Sequence, residues 1–356
     1  MATQVPSARR PRGAALRRRP VGVGDRVRAH TRPAATLVAL AVLAGACTRE
    51  AAHWPNRAVR MEVGYAVGQG TDPLAHVVAH QLGRQLQTPV IVAESRFAPG
   101  VVAANVARDA PRDGYTVLLG SSDGVALAPL LDDRLRRAID RNLCPLALVA
   151  ETPHVLVVSP ELQVDSVEEL IAEARRRPGI LSYGSFGTES TTHAVAETFL
   201  HAAHLDVTHV PYRNSAAAVK DLLGGHLSML FGTLQATLPA LASGRLRALA
   251  VSSPERAPEL PRVPTFAERG FGEITSTSWY GLFAPCGLTR DIEGQLAFAA
   301  RAAVGEADIA ASLGMNKTKQ PTLTGEDFAQ FIERERLRWM PIASVLSEDG
   351  GAAPRR

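Results

Sequence analysis

From Arg57 onward, short apolar runs alternate with stretches whose apolar residues recur at helical spacing, and this rhythm constrains the fold more than any other feature. AVRMEVGY, PVIVAE and YTVLLG read as strands. DPLAHVVAHQLGRQL and VVAANVARDA between them read as helices, the first with Leu74, Val77, Val78, Leu82 and Leu86 on one face. Apolar strands separated by helices build a parallel sheet covered on both sides. Then the rhythm breaks: LCPLALVAETPHVLVVSP is one long β-rich run with no helix inside it. Alternation restarts with a helix over SVEELIAEARRRPG, where Ser166 is placed to cap, Glu169 to close a capping box and Gly179 to follow the end. Strands ILSYGS, VTHVPY, LSMLFG and LRALAVSS interleave with helices TTHAVAETFLHAA, AAAVKDLLGG and ATLPALASG. An irregular Pro-rich stretch leads to a last strand, SWYGLFAPC, and the chain ends in helices, the final one expected to pack Phe328, Phe331, Ile332 and Leu337.

The expected fold class is therefore α/β, with two lobes, each a sheet flanked by helices, hinged by two β crossings. The expected boundaries are a leader over 1–46, a first lobe over 54–150 plus 285–356, and a second lobe over 151–284. Open α/β sheets receive ligands beyond the carboxyl ends of their strands. In a two-lobe plan both sets of ends face one cleft, so the strand-to-helix loops are the place to look for function.

Three such loops stand out. GYAVGQGTD offers Tyr65, Gly68, Gly70, Thr71 and Asp72. Its glycines allow close backbone approach, and the N–H groups opening the next helix suit an anion. Thr71 and Asp72 are equally natural helix caps, and without a third glycine the loop is no dinucleotide fingerprint. GSSDG matches the G-x-S-x-G nucleophile elbow, with Ser122 in the nucleophile place. A secreted serine hydrolase is the enzyme alternative, but no HGGG-like oxyanion segment accompanies it, and Ser121 and Ser122 read better as hydrogen-bonding groups for a ligand. SYGSFGTESTTH supplies Ser185, Gly187, Thr188, Ser190, Thr191, Thr192 and His193 at a helix start, an arrangement of hydroxyls and N–H groups suited to a carboxylate or amide. Thr233 ends the strand LSMLFG. His193, His201, His204 and His209 lack a metal-ligand spacing and no Cys joins them, so neither metal nor cofactor is expected. Trp279 and Tyr280 lie in the return crossing, as core or as cleft wall.

The net charge of +4 is misleading: residues 1–46 hold nine Arg and one Asp, which leaves 30 basic and 34 acidic residues beyond them. A nucleic-acid partner would need its positive charge in the folded part. An Arg-rich start followed by AATLVALAVLAGA reads as an export signal, with an A-x-A site at Ala44-Gly45-Ala46. Either ordinary cleavage follows, or lipoprotein processing with Cys47 as the acylated residue. No later segment is long and apolar enough to span a bilayer. Cys144 and Cys286 remain for the fold; an exported pair can be a disulfide, though the plainer expectation is two buried thiols.

WPNRAVRMEV, GQGTD, DGYTVLLG, VPYRNSAAAVKDLLGG, LPALASGRLRALAVSS, LPRVPTFAERGF and SWYGLFAP occur in this order. Together they resemble the Bug family, the periplasmic substrate-binding receptors of tripartite tricarboxylate transporters. The resemblance implies a periplasmic-binding-protein fold of the Venus flytrap kind (type II), a small organic anion as ligand, delivery to membrane permease subunits, no cofactor and a monomer in the periplasm. A ligand sensor for a membrane kinase is a further alternative. The chain departs from the family pattern where a ligand is expected. Gly64, Ala66 and Gln69 replace usual residues of the first loop, Glu189 stands where Gly is common, and Gly232 occupies a usual Asp position. A Glu beside an anion site repels a second negative charge, so the ligand is expected not to be a citrate-like tricarboxylate.

Overall fold

The computed structural model describes residues 53–64, 72–93, 99–304, 307–313 and 323–351. The expected leader with Cys47, and Tyr65, Gly68, Gly70 and Thr71 of the first loop, lie outside these residues; Asp72 opens a helix but its side chain is likewise outside them. Strands β1 (Val59–Gly64), β2 (Val90–Ala93) and β3 (Thr116–Ser121) alternate with helices α1 (Asp72–Leu86) and α2 (Pro99–Asp109). After β3 come a π-helical turn, Asp123–Leu127, and helices α3 (Ala128–Leu131) and α4 (Asp133–Asn142). Strand β4 (Leu143–Val158) is the long run without a helix. Helices α5 (Val167–Arg176), α6 (Thr191–Ala203), α7 (Ser215–Leu223) and α8 (Leu234–Ala242) then alternate with β5 (Ser182–Ser185), β6 (Thr208–Pro211), β7 (Met229–Thr233) and β8 (Arg247–Val251). The chain finishes with β9 (Thr277–Pro285), α9 (Arg290–Val304), α10 (Ala307–Ser312) and α11 (Gly325–Gly351). No helix among the described residues is long and apolar enough to cross a membrane.

The strands run in the order β2-β1-β3-β9-β4-β7-β5-β6, with β8 also on β4. β1 pairs parallel with β2 and β3, and β5 pairs parallel with β6 and β7. Between these two parallel groups β4 and β9 run antiparallel. The first part of β4, from Leu143 to Pro153, pairs with β9; its last part, from His154 to Val158, pairs with β7 and β8. One strand thus belongs to both halves of the molecule, giving the two-lobe α/β fold expected from the alternation.

Period-2 alternation sends successive residues to opposite faces. In β3, Val117 and Leu119 join Met61, Leu74 and Leu82, whereas Leu118 joins Val106, Trp279, Phe283 and Phe328. In β4, Leu156 and Val158 face Tyr183, Phe199 and Phe231, while Val155 and Val157 face Leu222, Leu227 and Leu230. Each half therefore has cores on both faces of its strands. Truncating a large buried side chain here, such as Phe199, costs about 3–5 kcal/mol. The last helix spans both halves: Phe328 and Ile332 pack in the first, Trp339, Ile342 and Leu346 in the second. Leu337, expected in that packing, is 63% exposed.

Two further expectations are corrected. Cys144 and Cys286 are not free thiols; they form a disulfide with Cα atoms 5.0 Å apart, because the antiparallel register sets Cys144 opposite Ala284 at the outer end of the crossing. Ser166 caps α5 by accepting from the Glu169 N–H at 3.1 Å, but the Glu169 carboxylate reaches back to the Asp165 N–H at 2.7 Å rather than to Ser166.

Candidate functional site

A narrow crevice with only about 10 Å³ of free space lies where strand ends of both halves meet. One wall is Ser121 and Asp123, following β3, with Ser278 and Tyr280 of β9; the other is Phe186, Thr191 and Thr192 around the start of α6, with Thr233 at the end of β7. Larger hollows beside the disulfide and beside α11 are lined from the first half alone. A cleft fed from two halves with several polar groups has the form of a ligand site.

The second wall is organised by its own hydrogen bonds. Gly187 has φ +121°, a conformation that residues with a Cβ avoid, and this turns the loop after β5 toward α6. Ser190 caps α6, its hydroxyl accepting from the His193 N–H at 3.2 Å and donating to the Gly187 carbonyl at 2.7 Å. The Thr192 hydroxyl accepts from the Phe186 N–H at 2.9 Å and, with the Ser190 proton already committed, donates to Ser190 at 2.8 Å. Ser185 bonds His209 at 2.7 Å behind this loop. His193, whose Nδ1 lies 2.8 Å from the Thr188 carbonyl, stacks on His209 with ring centroids 4.0 Å apart. Burial, then the neighbouring His193, pushes His209 down to about 3.

On the first wall, Gly120 permits close packing, since a Cβ there would come within 3.0 Å of Phe283 and Val125. The Ser121 hydroxyl donates to the Gly64 carbonyl at 3.0 Å. Asp123 then crosses the cleft. Its Oδ1 accepts from the Thr191 N–H at 3.0 Å and the Thr191 hydroxyl at 2.7 Å, with a long contact of 3.4 Å from Ser122. Burial raises the Asp123 carboxyl above its ordinary value, against the pull of these bonds. Tyr280 is raised too, first by burial and then by the charge of Asp123.

The contact continues into the second half. Since the Thr191 proton goes to Asp123, Thr191 accepts from His154 Nε2 at 3.1 Å, which sets the histidine tautomer. His154 Nδ1 is then the acceptor, facing the Ser276 hydroxyl at 3.4 Å and Ser252, whose own proton goes to the Ser276 carbonyl at 2.6 Å. Burial pushes His154 down to about 3, so it stays neutral.

Of the residues singled out in the sequence, Ser121, Thr191, Thr192, Thr233 and Tyr280 line the cleft. Ser122 is fully buried behind it, bonded to Asp123 and to Ser278 at 3.4 Å. No histidine among the described residues bonds Ser122, so the elbow motif does not assemble a catalytic pair. Ser185 and His193 are buried behind the loop, and Gly187 and Thr188 are partly exposed at its edge. Glu189, expected to oppose a second negative charge, is exposed and does not line the cleft. The acidic group that does is Asp123, which sequence reasoning passed over; its signal was a carboxylate directly after a strand end.

Comparison with known proteins agrees with the two-lobe fold. The family model described as the tripartite tricarboxylate transporter family receptor matches residues 74–347. Protein BugT of Bordetella pertussis is 32% identical over 302 residues, covering 83% of this chain and 90% of that protein. Among solved structures, the R. palustris protein Rpa4515, determined with adipate, superposes with a TM-score of 0.74 at 30% identity over 82% of this chain and 98% of that one. MatC of Rhodopseudomonas palustris, with bound malate, gives a TM-score of 0.71 at 25% identity, over 82% of this chain and all of that one. The periplasmic binding protein BugD, at 23% identity and a TM-score of 0.72, shares the fold.

Proposed function

The chain belongs to the tripartite tricarboxylate transporter receptor family, a family of receptors rather than enzymes, and from that premise we propose that it captures a small organic carboxylate in the cleft between its lobes. The observation that carries this reading is the cleft itself: hydroxyls from strand ends of both halves converge on one small space. The relatives solved with adipate and malate support the ligand class. The lobes are taken as 54–150 plus 285–356 and 151–284, with β9 as the crossing strand that packs into the first lobe's cores and the last turns of α11 packing into the second lobe's core.

Ligand enters with the lobes apart and bridges both walls, and closure follows because only the closed form makes both sets of contacts. The hydroxyls, held by neighbouring bonds before ligand arrives, lose little freedom on binding. The receptor works as a monomer in the periplasm and delivers its ligand to membrane permease subunits, with Cys47 as the lipid attachment point if the leader is processed as a lipoprotein. The reading also takes Tyr65, Gly68, Gly70, Thr71 and Asp72, which the sequence singles out, as ligand-binding residues. The test is a thermal-shift screen of the exported chain with malate, adipate, citrate and amino-carboxylates, followed by calorimetry. A rise in Tm with a small carboxylate and none with citrate is expected. No shift with any of them, or reaction of Ser122 with a fluorophosphonate, overturns the reading.

A further inference from the structure

The cleft presents an acid where an anionic ligand is to bind. The three hydrogen bonds to the Asp123 carboxylate all end on Oδ1, so Oδ2 is the oxygen left for a ligand. Asp123 is partly exposed to the cleft, while its neighbours on the opposite wall are almost completely covered. The first N–H of α6, where a ligand carboxylate was expected, already serves Asp123. A helix start attracts one negative charge, and here the protein supplies it. A second carboxylate brought alongside meets an acceptor rather than a donor, with like charge close by.

The cleft also holds an uncommitted group. Thr233 lines it and is 5% exposed, and its buried hydroxyl has no hydrogen-bond partner among the described residues. Buried polar atoms are seldom left unmatched. Thr233 and Asp123 Oδ2 thus offer one group able to donate or accept and one able only to accept while ionised.

We propose that Asp123 determines ligand specificity: the ligand is a small monocarboxylate that also carries a hydrogen-bond donor, an ammonium or amide group, which Asp123 Oδ2 receives. The proposal rests on the carboxylate-receptor reading above and narrows it. A dicarboxylate of the same length is disfavoured because both of its ends are anionic. The positive end of an aminocarboxylate replaces water at Asp123 by a charge-assisted bond, while its carboxylate accepts from the Thr233 hydroxyl.

The experiment uses probes matched in length: adipate against 6-aminohexanoate, and succinate against 4-aminobutanoate, titrated calorimetrically into the wild-type chain and Asp123→Asn. Asparagine keeps an acceptor for Thr191 and adds a donor toward the cleft. The wild type is expected to bind the amino member of at least one pair about tenfold or more tightly than the diacid. In Asp123→Asn that ratio is expected to fall at least tenfold, with the diacid gaining affinity. Asp123→Ser, which removes the carboxylate without adding an amide, is expected to lose the amino preference without the gain. Diacids bound as well as amino acids by the wild type, or a ratio that neither variant moves, overturn the proposal and leave the carboxylate reading standing. Absence of binding by all four probes to all three proteins overturns both.

Discussion

The β4–β9 ladder is tied at both ends, and the two ties differ in kind. At the outer end Cys144 and Cys286 are covalently joined. At the cleft end the connection runs through hydrogen bonds, from Ser276 through His154 and Thr191 to Asp123. The first tie stays inside one half of the molecule; the second crosses from one half to the other. A hydrogen bond contributes about 0.5–1.5 kcal/mol net, so a ligand offering equivalent groups can replace one or two of them. A disulfide closing a separation of 142 residues is not exchangeable in that way. The permanent constraint thus sits away from the cleft, and the replaceable one sits in it.

The largest expected effect tests the permanent end. The double variant Cys144→Ala, Cys286→Ala should lose roughly 3–5 kcal/mol of stability, the range for removing a disulfide that closes a long loop. Urea unfolding measures it. Ligand affinity in the folded variant should stay within about twofold. If affinity falls along with stability, the two ends are not independent and the comparison fails.

The second effect is acid sensitivity at the cleft end. His154 is neutral when folded, with its pKa pushed down to about 3, and takes up a proton on unfolding below its ordinary value. Its stabilising contribution is full above pH 6.5 and is lost as the pH falls toward 3, about 2 kcal/mol between pH 7 and 5. His209, also lowered to about 3, acts in the same direction. Asp123 acts oppositely: with its pKa raised, acidification relieves the cost of its buried charge. The net expectation is a falling Tm from pH 7 to 5, with a shallower fall in His154→Gln. An equal fall in wild type and variant would remove His154 from the account.

The middle of the hydrogen-bond tie offers a smaller and more local test. Thr191→Val removes the hydroxyl that donates to Asp123 and accepts from His154, leaving the backbone N–H bond to Asp123, at an expected cost of about 1–2 kcal/mol. A double-mutant cycle with His154→Gln should be non-additive by at least about 0.5 kcal/mol, because the residues share one bond. Strict additivity would mean that the contacts are separate and not a chain.

Much of this fold was readable from apolar spacing alone, since every strand of the ladder is a run of buried residues. The failures have physical causes. Helix α4 has a narrow apolar stripe, Leu135, Ala138 and Ile139, set among charged residues, with only Ile139 of its ten residues fully buried; its second signal is Asp132, whose carboxylate accepts from the Arg134 N–H at 2.6 Å. Leu337 was placed in the core on hydrophobicity, yet at about 100° per residue it lies half a turn around the helix from Phe328, whereas Glu335 and Trp339 share the Phe328 face. In the site, Ser121, Thr191, Thr192 and Thr233 were accessible to reading because strand-end loops are where hydroxyls converge. Asp123 was not, because its meaning depends on Thr191, 68 residues away, and no local pattern encodes that pairing. The disulfide was hidden for the same reason.

The smallest stability effect probes the ligand side of the comparison. Thr233 carries a buried hydroxyl with no partner among the described residues, so the empty protein gains nothing from it. Thr233→Val keeps the shape and replaces that hydroxyl with a methyl group. Unfolding free energy should therefore stay within about 0.5 kcal/mol of wild type, or rise slightly, since an unsatisfied polar group costs free energy to bury. Ligand affinity should nevertheless fall about tenfold, the effect of removing one hydrogen bond from a site that excludes water. Calorimetry on folded Thr233→Val separates the two quantities. A loss of stability without a loss of affinity would make Thr233 part of the frame, and the replaceable end of the ladder would then be confined to Asp123, Thr191 and His154.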